Sequence, residues 1–471
     1  MTNVVSKDAV PSLDYLSSAF RKPAFDARIA DTKYEFYDPV SGVRTTNCFR
    51  WTIPHNAGNY VTDSEKFILA LDMKIMNKDR TAAPAVGIPS GPCNNFVNTM
   101  FGSLRIYYNT TCVVKIDHYP IYNYLRMLLN CDSNDLSTWA SNRIFYPEKE
   151  GENLDDVTTM SGWKKTREQF GGYLKVPAKL ESGDDNPDFA TKNGKFMYGS
   201  EPVFFISSLD SYLPTPPLLP NINVHVELDL SKPEYMFQSA DDTPENTDIS
   251  VDVERARLYV ASTKLNDKLY LQLEERLQQQ ALRQFFTSTQ MSTHAISTGN
   301  TTVNFNPAIG FFPSRMYLLL QESSRLGGKF SLNSLKFSRV FNEKTAPFLL
   351  KSVKVTNKGE EVEGLACDTT QRSFRDQYFR LFNLLKQDSG RNACSITFED
   401  FVSNSCFLVY DFSSSLNSSE PPLLPLVKKG FIRVDLEFDK STSCPMTAIV
   451  MMEQQSALTI ESSGKCTLST I

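Results

Sequence analysis

The sequence predicts an all-β chain of two tandem β-sandwiches with few helices. Three observations carry that reading. Short apolar runs alternate with a period of two along most of the chain, turn residues separate them, and one segment recurs in matching context in the two halves.

The first half supplies expected strands at 45–53, 67–76, 103–108 and 111–116, the last two turned at Asn109-Thr110. A helix is expected over 119–130, and a further strand over 202–206. Ile222, Val224, Val226, Leu228 and Leu230 then alternate with Asn223, His225, Glu227 and Asp229, as in a strand with one buried face. The next run, Ile249, Val251, Val253, then Ala256, Leu258 and Val260, changes phase at Glu254-Arg255, which is the mark of a one-residue bulge. Ser262-Thr263 are candidate N-caps for a linker helix with Leu265, Leu269, Leu273 and Leu277, ending near Gln280. Its apolar stripe is too short for a coiled coil. The second half offers strands at 283–296, 314–320, 334–340, 350–356, 407–410, 432–438 and 447–452, with a helix over 371–386.

Pro216-Pro217-Leu218-Leu219-Pro220 recurs letter for letter as Pro421-Pro422-Leu423-Leu424-Pro425, each copy between an apolar strand and an alternating one. Upstream, Tyr124-Leu125-Arg126-Met127-Leu128 matches Tyr378-Phe379-Arg380-Leu381-Phe382 on the two expected helices. These matches imply a duplicated unit. Between the landmarks Tyr124 and Pro216 lie 92 positions, and between Tyr378 and Pro421 only 43, so the first unit carries about 49 more residues. The polar stretch at about 147–200 has the composition of a surface loop and is the natural insertion. The expected division is an N-terminal arm at 1–30, a first sandwich at 31–263, and a linker helix, second sandwich and C-terminal tail at 264–471.

Composition excludes several functions. The 471 residues carry 49 Lys+Arg against 54 Asp+Glu and no basic run, which argues against sequence-specific nucleic-acid binding. No apolar stretch reaches the roughly 18–20 residues of a membrane span, and no secretory signal is evident at the start. The nine cysteines never fall at C-x-x-C spacing and read as reduced, mostly buried thiols. The four histidines are too far apart for a local metal pair. Gly327-Gly328-Lys329 lacks the spacing of a phosphate loop, and Asp184, Asn186 and Asp188 lack the glycine and glutamate of a calcium loop. Glu227, Asp229, Asp435 and Glu437 read as the wet face of half-buried sheets. No catalytic residue, cofactor or metal is expected, and the chain is read as a non-enzyme.

A succession of motifs resembles a known family. Trp51-Thr52-Ile53-Pro54, Asn94-Asn95-Phe96-Val97-Asn98-Thr99-Met100-Phe101, Tyr119-Pro120-Ile121-Tyr122-Asn123-Tyr124, Leu228-Asp229-Leu230-Ser231-Lys232-Pro233 and Arg375-Asp376-Gln377-Tyr378-Phe379-Arg380 are similar, in order and spacing, to the double jelly-roll major capsid proteins of Polinton (Maverick) elements and adintovirus-like viruses. The resemblance covers roughly 40–455; the loop at 147–200 and the arm have no counterpart in it. It implies two tandem eight-stranded jelly rolls with short flanking helices, assembled as a pseudo-hexameric homotrimer that tiles an icosahedral capsid. It further implies a place in the virion, synthesis in the host cytoplasm with assembly there or in the nucleus, and contacts with neighbouring capsomers, pentons and minor or cement proteins. The long loop would then help form an outward tower. The competing reading of the same residues is a tandem sandwich that recognises a receptor or glycan, and a third is a carboxylate hydrolase.

Within the leading reading, Tyr124, Arg126, Tyr378 and Arg380 are expected on supporting helices, the arginines either in buried or interface ion pairs or merely exposed. Pro216, Pro217, Pro220, Pro421, Pro422 and Pro425 are expected to stiffen a sandwich corner or to form interface contacts.

Overall fold

The computed structural model describes residues 29–40, 47–55, 60–85, 88–131, 144–146, 148, 152–157, 191–192, 195–196, 202–208, 222–308, 312–357, 360–361, 371–384, 396–412 and 430–470. The first unit is built from β1 (Ile29–Tyr37), β2 (Cys48–Ile53), β3 (Tyr60–Met76), β4 (Phe101–Tyr108), β5 (Thr111–Asp117), α1 (Tyr119–Asn130), β6 (Val203–Ser208), β7 (Val224–Leu230) and β8 (Ser250–Leu265). After α2 (Asp267–Gln279) come β9 (Leu282–Ile296), β10 (Thr302–Ala308), β11 (Arg315–Glu322), β12 (Phe348–Asn357), β13 (Glu360–Glu361), α3 (Gln371–Leu384), α4 (Phe398–Ser403), β14 (Phe407–Asp411), β15 (Ile432–Phe438), β16 (Met446–Ile460) and β17 (Cys466–Thr470).

The strands pair in the same order twice. In the first unit one sheet runs β1-β8-β3-β6 and the other β2-β7-β4-β5. In the second the corresponding sheets run β9-β16-β11-β14 and β10-β15-β12, with β13 beside β12 as β5 lies beside β4. Every one of these pairings is antiparallel. Each unit therefore contains the same eight-stranded arrangement, to which the second adds β17 beside β16 and the Val340–Phe341 pair beside β12, and the duplication read from Tyr124/Tyr378 is a duplication of topology.

Period-two alternation fills the cores as the sequence predicts. Phe49, Trp51 and Ile53 of β2, Val224, Val226 and Leu228 of β7, and Leu104, Ile106 and Tyr108 of β4 face the first core, and Ile432, Val434, Leu436 and Phe438 of β15 face the second. The phase change in β8 is a bulge: Val253 pairs with Met73 and Arg255 with Asp72, leaving Glu254 as the extra residue. The turn between β4 and β5 places Asn109 at φ 53°, a left-handed conformation that asparagine tolerates.

Several expectations are corrected. The segment 334–340 is not a continuous strand: Phe337 makes a single parallel bridge to Ser405 and Val340–Phe341 pairs with β12, while Asn333 through Ser338 are all buried instead of alternating. The cap of α2 is Asn266, whose side chain accepts from the Lys268 N–H, while Ser262, Thr263 and Leu265 belong to β8. That helix buries Tyr270 and Leu277 with Leu273 half-buried between them and leaves Leu269 exposed, so only the later part of the leucine stripe lies on its packed face. Glu227 lies on the outward face with Asp229, as expected, but is itself buried there: Arg50 pairs with it and Arg105 stands 4.0 Å away, covering it. Strands β1, β10 and β17 were not marked by alternation. The Gly327-Gly328 pair ends a short helix, with Gly328 at φ 113° in the capping position that glycine alone takes easily. The proline repeats (Pro216, Pro217, Pro220; Pro421, Pro422, Pro425) and Asp184, Asn186 and Asp188 lie outside the described residues, as does the arm up to residue 28.

Candidate functional site at the seam between the sandwiches

Helix α1 opens at His118, held at φ 57°, with Pro120 in its first turn, where a missing N–H costs nothing. Tyr119, Ile121, Tyr122, Leu125, Met127 and Leu129 are all fully buried. A helix apolar on all sides needs cover on all sides, and α1 obtains it by lying between its own β4 and the outer face of the β9-β16-β11-β14 sheet. Its N-terminal approach is fixed by buried asparagines. Asn94 and Tyr146 exchange hydrogen bonds between the Asn94 amide and the Tyr146 backbone, the Asn95 N–H donates to Ile144 O (2.8 Å), Asn98 Nδ2 donates to Asn95 Oδ1 (2.7 Å), and Asn95 Nδ2 to Asn123 Oδ1 on α1 (3.3 Å).

Two ionic clusters cross the seam. In the first, Arg126 Nη2 lies 2.8 Å from Glu453 Oε1 on β16, and Glu453 is also 3.7 Å from Arg315, itself 3.8 Å from Asp411. Burial works against the Arg126 charge, but Glu453 and the Tyr122 and Tyr317 hydroxyls outweigh it and raise the guanidinium pKa, so the group stays ionised. Arg126 also lies 5.6 Å over the Tyr122 ring.

In the second cluster, Asp155 receives both Arg325 amino groups, the Lys336 ammonium (3.2 Å) and the Asn333 N–H (3.0 Å). Burial pushes this carboxyl up, yet the Arg325 hydrogen bonds and charge, Lys336 and the Asn333 amide together hold it below the usual aspartate value. Around it, Asn404 Nδ2 donates to Glu152 O (2.7 Å), Gln238 Nε2 to Leu154 O (2.7 Å) and Lys336 Nζ to Asn153 Oδ1 (2.9 Å). The hairpin after β16 adds a third tie, since Asn109 Nδ2 and Thr111 Oγ1 donate to Gly464 O and Cys466 O, each at 2.6 Å.

Of the residues singled out from the sequence, Tyr124 and Arg126 lie in the seam. The Tyr124 ring stands 6.1 Å from Phe145 and 6.4 Å from Phe337 of the second sandwich. Tyr378 packs instead within its own unit, against Phe382, Phe398 and Phe401, and its hydroxyl donates to Ile396 O (2.7 Å). Arg380 is half-exposed on α3. Asp155, Arg325 and Lys336 were not found from sequence. The stretch 152–157, expected in a surface loop, is in part a buried strap: Leu154 and Val157 are each 5% exposed.

The seam borders a partly open cavity of about 60 Å³ lined by Tyr124, Phe145, Leu154, Asn333, Ile396 and Asn404. That volume is far below the roughly 300–1,000 Å³ of small-molecule sites. Among the described residues no three His, Cys, Asp or Glu side chains gather as a metal site, and no helix is long and apolar enough to cross a membrane. None of the seven described cysteines is in a disulfide, and burial pushes the Cys93 thiol up to about 12.

These contacts join two like sandwiches side by side. The fold is the double jelly roll. Solved structures share it over nearly the whole chain: a chain of the Sputnik virophage (TM-score 0.58, 11% identity, 96% of this chain and 90% of that one), the mavirus major capsid protein (0.52, 12%, 100% and 96%) and the Faustovirus major capsid protein (0.52, 10%, 96% and 94%). No protein-family model and no curated protein matches the chain.

Proposed function

We propose that the chain is the major capsid protein of a virus or virus-like element, and that three copies form a pseudo-hexameric block tiling an icosahedral shell. The observation that carries this is the repeated strand order joined through a buried seam. Two like units fixed side by side in one chain make a trimer present six similar sandwiches, the outline that packs a flat facet. The shared fold with capsid proteins of virophages and large viruses supports the same reading. The motif resemblance favours the Polinton and adintovirus-like lineage within it.

In this reading the chain divides into an arm (1–30), a first roll (31–263) and a linker helix with the second roll (264–471). It resides in the virion after assembly in the host nucleus or cytoplasm, contacts neighbouring capsomers, pentons and minor or cement proteins, and catalyses nothing. Tyr124 and Arg126 are supports of the seam. Tyr378, Arg380 and the two proline segments serve the packing or interfaces of the second roll and of the sandwich corners.

Light scattering on the purified chain tests it, with negative-stain imaging of the same fraction. The expected species is near 160 kDa, about three times the 53.2 kDa chain, with a hexagonal outline. A monomer that persists at every concentration overturns the capsomer and directs attention to receptor or glycan recognition.

A further inference from the structure

We propose that Lys336 and Asn153 bond covalently to one another, through an isopeptide link from the lysine side-chain nitrogen to the asparagine side-chain carbonyl carbon that welds the strap at 152–157 to the second sandwich. The inference stands apart from the capsomer reading, because it concerns one chain alone, and either can fail without the other.

Lys336 is 3% exposed, a depth at which lysine is rare unless its amine is held. It lies between Leu335 and Phe337, both buried, and Gln321 Nε2 donates to the Ser334 and Lys336 carbonyls (2.7 and 3.5 Å). The Lys336 Nζ meets three oxygens: Asn153 Oδ1 at 2.9 Å, Asp155 Oδ2 at 3.2 Å and Glu343 Oε1 at 3.3 Å. The Asn153 carboxamide is thus the nearest of the three. Because Oδ1 is bonded to Cγ, Nζ lies no more than about 4 Å from that carbon, close to the roughly 3–3.5 Å of a near-attack pair.

The strap is pinned on both sides of Asn153. Glu152 O accepts from Asn404 Nδ2 (2.7 Å), Leu154 O accepts from Gln238 Nε2 (2.7 Å), and Asp155 is gripped by both Arg325 amino groups. Two reacting groups 183 positions apart in sequence are thereby held together, and such ordering accelerates an otherwise slow aminolysis. The strap also supplies a donor for the carbonyl under attack. The Asp155 N–H donates to Asn153 Oδ1 (3.1 Å) and remains in place for the negative charge that gathers on that oxygen. Asn153 is itself exposed, so the leaving group has a way out.

The attack needs a neutral amine. Asp155 shares its charge between Lys336 and Arg325, and so holds the ammonium less firmly than an unshared carboxylate would. Glu343, with its side chain 45% exposed, is the carboxylate placed to take a proton from Nζ and pass it on. The amine adds to Cγ, the Nζ–Cγ bond forms and the Cγ–Nδ2 bond breaks. Both protons lost by the Lys336 ammonium leave with Nδ2 as an ammonium ion, and the step runs once per chain without oxidant or cofactor.

Mass spectrometry of the denatured full chain, after purification and incubation at mildly alkaline pH, tests the bond. The parent is expected to be lighter than its sequence mass by one ammonia, and a protease digest to contain a branched peptide joining the segments around Asn153 and Lys336. Lys336→Arg keeps the charge and Asn153→Ala alters an exposed position; each, once circular dichroism confirms folding, is expected to keep its full sequence mass. Glu343→Gln is expected to slow the loss, and an unchanged rate overturns its part as proton acceptor. A parent that keeps its full mass overturns the bond. So does an ammonia loss that persists in Lys336→Arg, which places it in a succinimide at Asn153.

Discussion

Arg126 shows what a single residue contributes at the seam. A guanidinium taken out of water is costly unless a carboxylate meets it, and Glu453 does so from a strand 327 positions away, with its side chain 8% exposed. Arg126→Met leaves that carboxylate buried with only the more distant Arg315, and is expected to cost about 3 kcal/mol or more in urea unfolding. The double variant Arg126→Met with Glu453→Met removes both charges, and is expected to be more stable than the single one. Equal losses would mean that the pair carries no coupling. Asp155 acts on the pH axis. Its folded pKa lies below its unfolded value, so the ionised carboxylate favours folding, fully so above the unfolded pKa of about 4 and progressively less as pH falls through the lowered folded value. The stability gap between the parent and Asp155→Asn is therefore expected to be constant from pH 7 to 5 and to shrink below pH 4; a gap that widens on acidification would contradict the ion cluster. Neither residue advertises itself in sequence. Arg126 is marked only by its repetition as Arg380, and Asp155 sits in an unpatterned polar stretch whose partners, Arg325 and Lys336, are far along the chain.

At the scale of elements, legibility followed the number of alternating positions that a segment buries. Strand β7 buries Val224, Val226 and Leu228, strand β15 buries four residues in alternation, and the β8 phase change is visible because apolar runs flank the bulge. Strand β10 offers only Val303 and Phe305 before Pro307, which interrupts the pattern and coincides with a register shift between Phe305 and Ala308. Strand β1 is an edge strand exposed on most positions, and β17 carries one large side chain, Leu468, itself 40% exposed. Segment 334–340 failed in the opposite way. It alternates in sequence, but the seam buries both of its faces, and tertiary contact decided its backbone. Helix α2 shows that a local cap outweighs a distant one: Asn266 satisfies the Lys268 N–H at 3.0 Å. Asn266→Ala is expected to cost about 1 kcal/mol in chemical unfolding. An unchanged midpoint would mean that the helix start is held by packing of Tyr270 alone.

For the whole molecule the question is whether two sandwiches behave as one body. Sandwiches joined by a short helix commonly move independently when their interface is small and polar. Here a helix buried on every side is shared between them, and two ion clusters and the strap at 152–157 close over it. The consequence is cooperative unfolding: calorimetry of the parent is expected to show both sandwiches melting in one transition. Arg126→Met combined with Asp155→Asn weakens both clusters while leaving each core intact, and is expected to split that transition into two, the first sandwich separating from the second. Measured at fixed chain concentration, so that assembly contributes equally, a single transition that only moves to lower temperature would show that the apolar packing of α1 alone couples the halves.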